Sequence, residues 1–270
     1  MRARMRWVAL GFALVAAAVW HHLGLSLATL ILGWKNLQVF LAGAWPPDLS
    51  VWSGGWGSLI ETLEIAFLAT VLGLALALPL AALAARNLAP WWVRTPIRAL
   101  LSAIRVLPSL LWALVFVILV GIGPPAGVLA VTLYTVGYVG KLQYEALEGL
   151  PAGPLEAASA MGVPAVARLR WVVMPEAANG LISQALFMFE YNVRASTILG
   201  VVGAGGIGQQ IQLRINHFQY DKVLALLVLV FITVLVIESI SMRIRARFME
   251  GEQRPTRVRW RDVVLPPAPG

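Results

Sequence analysis

The chain has 270 residues, of which 59% are hydrophobic and only 13% are charged, and its mean hydropathy is +0.79. Because water-soluble domains carry about 25% charged residues, this composition indicates an integral membrane protein. The absence of cysteine excludes a disulfide framework and a thiolate metal site, and the net charge of +8 comes mostly from basic residues that flank apolar runs, which argues against nucleic-acid binding.

Residues 1–57 are predicted to form one membrane helix followed by an extracytoplasmic segment. A basic start, Met1–Arg6, precedes the apolar run Trp7–Leu23. A cleaved signal peptide has a similar layout, with Ala16–Ala18 as the cleavage region, but the run continues without a turn signal, which favours a retained span. Residues 24–57 carry four tryptophans, which are typical of membrane interfaces, and are predicted to be a surface segment with short helices.

Residues 58–245 are predicted to hold the transmembrane core. The apolar runs there give five further spans, six in all, at about residues 59–85, 97–120, 126–146, 178–199 and 223–240. From Arg243 onward the chain carries seven arginines, and residues 246–270 are predicted to be a disordered cytoplasmic tail. The predicted fold class is therefore an all-α integral membrane protein.

Two charged pairs lie at the ends of these spans. Glu61 and Glu64 are spaced i and i+3 at the start of the second span, where the helix dipole favours anions, and this structural role is preferred to acid–base chemistry. Lys141 and Glu145 are spaced i and i+4 at the end of the fourth span and are predicted to form an ion pair. Neither pair indicates a catalytic site.

Orientation follows from the distribution of Lys and Arg, which are enriched in cytoplasmic loops. One set of connections carries only Lys35, Arg214 and Lys222, so this set is assigned to the outer side. The opposite side carries the seven tail arginines together with Arg2, Arg4, Arg6, Arg86, Arg94, Arg98, Arg168 and Arg170. Both termini are therefore predicted to be cytoplasmic. The protein itself is predicted to lie in the inner membrane of a bacterium.

The polar loop Glu156–Pro175, between the fourth and fifth spans, has the pattern of a structured element. It predicts a short helix, a turn at Gly162–Pro164, and a second short helix that ends at Pro175. Glu156 near a helix N-terminus is favoured by the dipole, and Gly162 permits the turn. Such a loop is expected to dock onto another protein. Since no soluble stretch here is long enough for a nucleotide-hydrolysing domain, any energy source must be a separate chain.

The spacing of this loop resembles the signature of the membrane subunits of ABC importers. The matching residues are Glu156, Ala157, Ala158, Gly162, Val172, Met174 and Pro175. The resemblance implies a type I, MetI-like permease fold in which the loop forms coupling helices that sit in a cleft of a cytoplasmic ATPase dimer. It also implies that ATP and magnesium bind to that partner, while this chain carries no cofactor, no metal and no catalytic residue.

A second resemblance, to the phosphonate-import permeases of the PhnE type, covers most of residues 58–245. It rests on the segments Glu61–Ala66, Leu78–Asn87, Glu145–Gly149, Phe189–Ala195 and Leu199–Gly208. The resemblance implies a homodimeric permease that moves phosphonate inward from an extracytoplasmic phosphonate-binding protein. Permeases for phosphite, hypophosphite and phosphate belong to the same group, so it implies a phosphorus oxyanion rather than one substrate.

Glu190 and Arg194 are charged residues inside the fifth span. Counted from Ala178 at about 1.5 Å per residue, Glu190 lies about 18 Å along the helix, near the middle of a hydrocarbon layer about 30 Å thick. Two interpretations stay open. Either the two side chains form a self-neutralised i, i+4 pair that stabilises packing, or Arg194 offers its guanidinium to a phosphonate in the pathway while Glu190 orients it.

The run Gly203–Gly208 satisfies G-x-G-x-x-G, which is also the fingerprint of dinucleotide-binding loops, but no βαβ unit surrounds it. The glycines are instead predicted to let backbones approach closely at an outer gate of the pathway. The predicted gate and pathway residues beside Glu190 and Arg194 are Asn192, Gly203, Gly205, Gly206 and Gly208, with Asn216 and His217 near the same mouth.

Two other classes of protein are weighed against a transport subunit. An integral-membrane enzyme would need His, Asp or Ser clustered at one membrane depth, and no convincing cluster is present. A secondary transporter usually has more spans and internal repeats, and it would leave the loop Glu156–Pro175 unexplained. The sequence therefore favours a transport subunit that is not itself an enzyme.

Overall fold

The computed structural model describes residues 2–24 and 26–249, and it confirms the all-α fold over these residues, which contain no β-strand. Residues 250–270 of the predicted tail lie outside the described residues. Two 3-10 turns, Leu49–Val51 and Gly200–Val202, and one π-helical turn, Leu169–Val173, adjoin the longer helices. The helices are α1 (Arg2–His22), α2 (Leu27–Ala44), α3 (Trp52–Ala84), α4 (Trp91–Val106), α5 (Ser109–Val120), α6 (Pro124–Glu148), α7 (Ala152–Ala160), α8 (Ala165–Arg168), α9 (Met174–Leu199), α10 (Ile207–Asn216) and α11 (Tyr220–Met249).

Helix α6 is the centre of the bundle, where it packs against α3, α4, α5 and α9. Many of its buried residues are Ala, Gly or Thr, and small side chains let neighbouring helix backbones approach closely. Its polar residues Thr132, Thr135 and Gln143 are buried by other helices. Because these residues are covered by protein, α6 can carry polar groups that a lipid-facing helix would exclude.

The hydrophobic core extends along the whole length of α3. Near the start of α3, Leu59 packs in one cluster with Ile207 of α10. Near its end, Ala84 packs in another cluster with Leu147 of α6. These clusters mark the two ends of the bundle. We call them the glycine end, which holds the α9–α10 connection (residues 200–206), and the hairpin end, which holds α7 and α8.

Three helical stretches of the described chain are long and apolar enough to cross a membrane, judged by length and composition: Leu49–Ala84, Val166–Asn216 and Tyr220–Arg247. A fourth is obtained if α4 and α5, which meet at a bend of 88°, count as one broken span. The 25 residues of α6 give a length of about 37 Å, which exceeds a hydrocarbon layer of about 30 Å. The membrane-protein class is confirmed, whereas the number of six spans stays a prediction.

The third span is predicted as one helix over 97–120, and this prediction is wrong. Helix α4 ends at Val106, and α5 begins at Ser109 in a new direction. Pro108 explains the break, because proline lacks a backbone N–H and disfavours helical geometry in the residue before it. Helix α4 begins at Trp91, so it also covers much of the connection predicted between the second and third spans, at residues 86–96.

Two other predicted boundaries are corrected. Short helices are expected over residues 24–57, but helix α2 has 18 residues. It continues because no proline interrupts the apolar run before Pro46. Helix α11 continues to Met249, beyond the predicted end of the sixth span near Ile240. The first arginines of the predicted tail therefore belong to a helix, which gives them fixed positions relative to the bundle.

Candidate functional site

The predicted helix–turn–helix between the fourth and fifth spans is confirmed as α7 and α8. Helix α7 ends in a Schellman-type cap, in which Gly162 N–H donates to the Ser159 carbonyl at 3.0 Å and Val163 N–H donates to the Ala158 carbonyl at 3.1 Å. Gly162 has a φ of +73°, a conformation that glycine adopts without steric cost. Arg168 donates to the hydroxyl group of Ser159 and joins α8 to α7.

Two details of the hairpin prediction are wrong. Glu156 is not near a helix N-terminus, because α7 begins at Ala152, and the dipole effect falls off within the first turn. Pro175 does not end a helix. It lies in the first turn of α9. The π-helical turn Leu169–Val173 carries the chain from α8 into α9 without a break.

The hairpin, residues 152–173, presents both polar and apolar side chains on its surface. Three large apolar side chains, Met161, Val166 and Trp171, are 75%, 79% and 70% exposed. On α7, the signature residue Ala158 is buried, whereas Glu156 and Ala157 are exposed. Exposed large apolar side chains of this kind are typical of a surface that contacts another protein.

Helix α6 carries two acidic residues with different roles just before the hairpin. Glu145 pairs with Lys141 at 3.4 Å, which confirms the predicted ion pair. Glu148, whose side chain is only 10% exposed, accepts hydrogen bonds from the backbone N–H of Arg86 at 2.6 Å and from Arg86 Nε at 3.1 Å, and it pairs with Arg98. Glu148 therefore ties the α3–α4 region to the end of α6, directly below α7.

At the glycine end, the connection between α9 and α10 lies between α3 and the start of α6. The N–H of Gly206 donates to Glu61 Oε1 at 3.0 Å, and the N–H of Ile207 donates to Thr62 Oγ1 at 2.8 Å. Two side chains of α3 thus satisfy the first N–H groups of α10. A Cβ atom at Gly206 would overlap the Thr62 hydroxyl, so this approach requires glycine. The other predicted gate glycines belong to the same junction: Gly203, Gly205 and Gly208.

The prediction that Glu61 and Glu64 lie in the first turn of a helix is wrong. Helix α3 begins at Trp52, so both residues are more than two turns inside it. Glu61 instead acts on a different helix, since it holds the N-terminus of α10. The close backbone approach predicted for the glycine run is present, because Gly123 N–H also donates to the Gly203 carbonyl at 2.8 Å.

Of the two open interpretations of Glu190 and Arg194, the one in which they neutralise each other within one helix is wrong, whereas a pathway role for Arg194 stays a prediction. Glu190 Oε1 accepts from Arg245 Nη2 at 2.6 Å, and Arg194 Nη2 lies 3.3 Å from Glu238 Oε2. These two residues of α9 therefore pair across the interface with α11. They lie one turn apart on α9, and their partners lie about two turns apart on α11, so each of the four charges faces an opposite charge on the other helix. The Glu190 side chain is 8% exposed and that of Arg194 is 48% exposed.

Asn192 lies inside the bundle, with none of its surface exposed. Its Nδ2 donates to Thr70 Oγ1 at 2.9 Å and to Thr135 Oγ1 at 3.0 Å, so it joins α9 to α3 and α6. Asn192 is thus enclosed within the helical bundle and does not border an open mouth. Asn216 and His217 are exposed where α10 ends, at the glycine end of the bundle.

Four residues with specific partners are not predicted from the sequence: Thr62, Glu148, Glu238 and Arg245. A partial signal exists for Glu148, because an acidic residue among many arginines at the same end of the spans is unusual. A signal also exists for Glu238, which is a lone charge in the apolar run of α11. Thr62 gives none, since its partner is a backbone N–H.

An apolar helical bundle with three or four candidate spans and an exposed hairpin between two long helices defines an integral membrane protein. The described residues contain no group of acidic, His or Cys side chains able to hold a metal ion. A family model described as "Binding-protein-dependent transport system inner membrane component" matches residues 77–249, and the chain belongs to this family. It is therefore a permease component of an ATP-driven importer, not an enzyme, and the ATPase is a separate subunit.

Named relatives and solved structures agree with this family. The chain is 37% identical over 238 residues to the putative phosphite transport system permease protein HtxC of Stutzerimonas stutzeri, covering 88% of this chain and 84% of the relative. It is 39% identical over 121 residues to the putative cryptic phosphonate transport system permease protein PhnE2 of Escherichia coli K12, covering 45% of this chain and 99% of the relative. A chain of the inward-facing MetNI methionine ABC transporter superposes with a TM-score of 0.64 at 26% identity, covering 72% of this chain and 95% of that one. The MetI-like type I importer fold is thus confirmed.

Proposed function

We propose that the hairpin, residues 152–173, is the element through which a cytoplasmic ATPase dimer drives this permease. The observation that carries the proposal is the exposure of three large apolar side chains on the hairpin, Met161, Val166 and Trp171. The hairpin is also ordered by the Schellman-type cap at Gly162, and its Leu155 and Leu169 pack against the hydrophobic cluster that contains Leu147 of α6 and Ala177 of α9. A docked element that is rigidly joined to α6 and α9 can transmit a rigid-body motion to the bundle.

The cargo proposed is a phosphorus oxyanion, with phosphonate and phosphite as the leading members of the class. The support is the full-length similarity to a permease named for phosphite and the similarity to one named for phosphonate. We propose that an extracytoplasmic binding protein for the same anion delivers it. ATP and magnesium would bind to the partner ATPase, so this chain would need no cofactor of its own.

The orientation proposed has the hairpin end and both termini on the cytoplasmic side. Arg86, Arg94, Arg98 and Arg168 lie near the hairpin end, and basic residues are enriched in cytoplasmic connections. A homodimer is proposed because two copies would present two hairpins to an ATPase dimer. The pathway and gate are proposed to include Glu190 and Arg194 on α9 together with the glycine junction, where the backbones of α9 and α10 approach each other most closely.

Two variants test the docking role of the hairpin. Glu156→Lys reverses the charge of an exposed residue on α7, and Gly162→Val forces a β-branched residue into positive φ, at a cost of about 1–2 kcal/mol to the cap. We expect both variants to insert in the membrane but to lose co-purification with the ATPase and ATP-dependent uptake. Glu145→Lys makes the same charge change on α6 and is the matched control, which should retain the ATPase. Normal ATPase retention and normal uptake by both hairpin variants would contradict the docking role.

A further inference from the structure

A polar cleft at the glycine end contains a concentration of positive charge that the proposed pathway does not use. The cleft has a volume of about 350 Å³ and forms where the start of α3, helix α10 and the start of α11 meet. Among the residues that the structure describes, no carboxylate lines it. Its polar lining residues are Ser50, Ser53, Gln210, Arg214 and Lys222.

The two cations of this cleft are among the few basic residues on the predicted outer side of the protein. Charge counting assigns only three basic residues to the outer connections, and two of these, Arg214 and Lys222, line the same cleft, whereas Lys35 does not. Arg214 Nη1 donates to the neutral amide oxygen of Gln219 at 2.9 Å, and within the described residues its buried Nε has no hydrogen-bond partner. Within the described residues the guanidinium of Arg214 therefore has no ion-pair partner, and its buried Nε–H is an unsatisfied donor.

Lys222 is partly compensated by acidic residues outside the cleft. The pKa of Asp48 is lowered by hydrogen bonds from Ser50 and, to a lesser degree, by the charge of Lys222. Asp221 is the neighbour of Lys222 in the first turn of α11. Neither Asp48 nor Asp221 lines the cleft, whereas Arg214 and Lys222 both do. Partial compensation suits an anion that binds and leaves again, because an uncompensated pair of cations would retain it.

From this geometry we propose that the Arg214–Lys222 cleft is a loading site for a small tetrahedral phosphorus oxyanion on the outer face. A guanidinium binds such an oxyanion through two parallel N–H bonds, an ammonium group adds a point charge, and Ser50 and Gln210 add a hydroxyl and an amide. The cleft is bounded by α10, whose N-terminus is held by Glu61 and Thr62 of α3. An anion that draws Arg214 inward would therefore act on the glycine junction directly. The identity of the anion rests on the proposed cargo.

The test uses the full transporter, with its ATPase, in nanodiscs. Binding of methylphosphonate and phosphite is measured by phosphorus NMR saturation transfer, without ATP and without binding protein. The variants are Arg214→Gln, Lys222→Gln and the double change, and Lys35→Gln is the matched control with the same charge loss outside the cleft. We expect Arg214→Gln to weaken binding at least about tenfold and the double change to abolish it, as for loss of a charge-assisted bond. Arg214→Lys should recover part of the affinity, which excludes a folding defect.

Two arms separate the sources of the anion. Nanodiscs made from phosphatidylglycerol are compared with nanodiscs made from a phosphate-free glycolipid. Equal methylphosphonate binding in both supports the loading site, whereas binding that disappears in phosphatidylglycerol identifies a lipid headgroup site and overturns it. Wild-type binding by the double variant also overturns the proposal, even if uptake of phosphite is normal. Failure of the wild-type transporter to take up any phosphorus oxyanion would contradict the proposed cargo instead.

Discussion

The buried ion pair between Glu190 on α9 and Arg245 on α11 gives the sharpest stability prediction. The two side chains are 8% and 23% exposed, and their charged atoms are 2.6 Å apart. Arg245→Gln leaves the carboxylate of Glu190 buried without its cation. Removing one partner of such a pair costs about 3–5 kcal/mol, most of it from the unpaired charge that remains.

The measurement is the melting temperature of the purified protein in detergent. At about 2–4 °C per kcal/mol for a chain of this size, Arg245→Gln should lower the melting temperature by about 6–20 °C. Arg243→Gln, an exposed arginine two residues earlier on the same helix, is the control and should lower it by no more than a few degrees. The double variant Glu190→Gln with Arg245→Gln should recover at least half of the loss, because no charge is then left unpaired.

A melting temperature for Arg245→Gln that matches the Arg243→Gln control would refute this reasoning. So would a double variant that is no more stable than Arg245→Gln alone, since the two changes would then act independently. Melting temperatures also distinguish the Glu190–Arg245 pair from a pair between Glu190 and Arg194 within α9. If Arg194 were the true partner of Glu190, Arg194→Gln would be the more damaging single change.

Two further predictions concern the ends of the bundle. Thr62→Val removes the acceptor of the Ile207 N–H and should cost about 1–2 kcal/mol, seen as a lower melting temperature. Thr233→Val, whose hydroxyl bonds only its own helix, should change it little, and equal losses would argue against the cap. Glu148→Gln removes the charge that holds Arg86 and Arg98 and should reduce ATP-driven uptake more than it reduces membrane insertion, both followed in the same cells. Unchanged uptake by Glu148→Gln would argue against a role in supporting the hairpin.

The hairpin could be predicted from the sequence because its determinants are local. Gly162 follows a helical run directly and supplies the left-handed residue that a Schellman cap needs, and Pro164 cannot continue the first helix. The role of Pro175 could not be decided in the same way, because proline is equally compatible with a position after one helix and with the first turn of the next. Only the continuous path through the π-helical turn Leu169–Val173 distinguishes the two.

The partners of the charged residues could not be predicted, because they depend on how distant helices cross. Glu190 lies one turn from Arg194 in sequence, yet it pairs with Arg245, which is 55 residues away. Both arginines are chemically suitable, and only the packing of α9 against α11 decides between them. Glu61 is a stronger case, since its partner is a backbone N–H that lies 145 residues further on and carries no side-chain signal.

We propose that this chain carries a phosphorus oxyanion inward under the control of an ATPase docked at the hairpin. Uptake by the reconstituted transporter tests this proposal most directly. The assay follows radiolabelled phosphite and methylphosphonate in proteoliposomes that contain the chain and its ATPase, with the binding protein outside. We predict accumulation of at least one of these anions that requires ATP and the binding protein and is lost with Glu156→Lys. Accumulation without ATP, driven by an ion gradient, or full activity of the Glu156→Lys variant would contradict it.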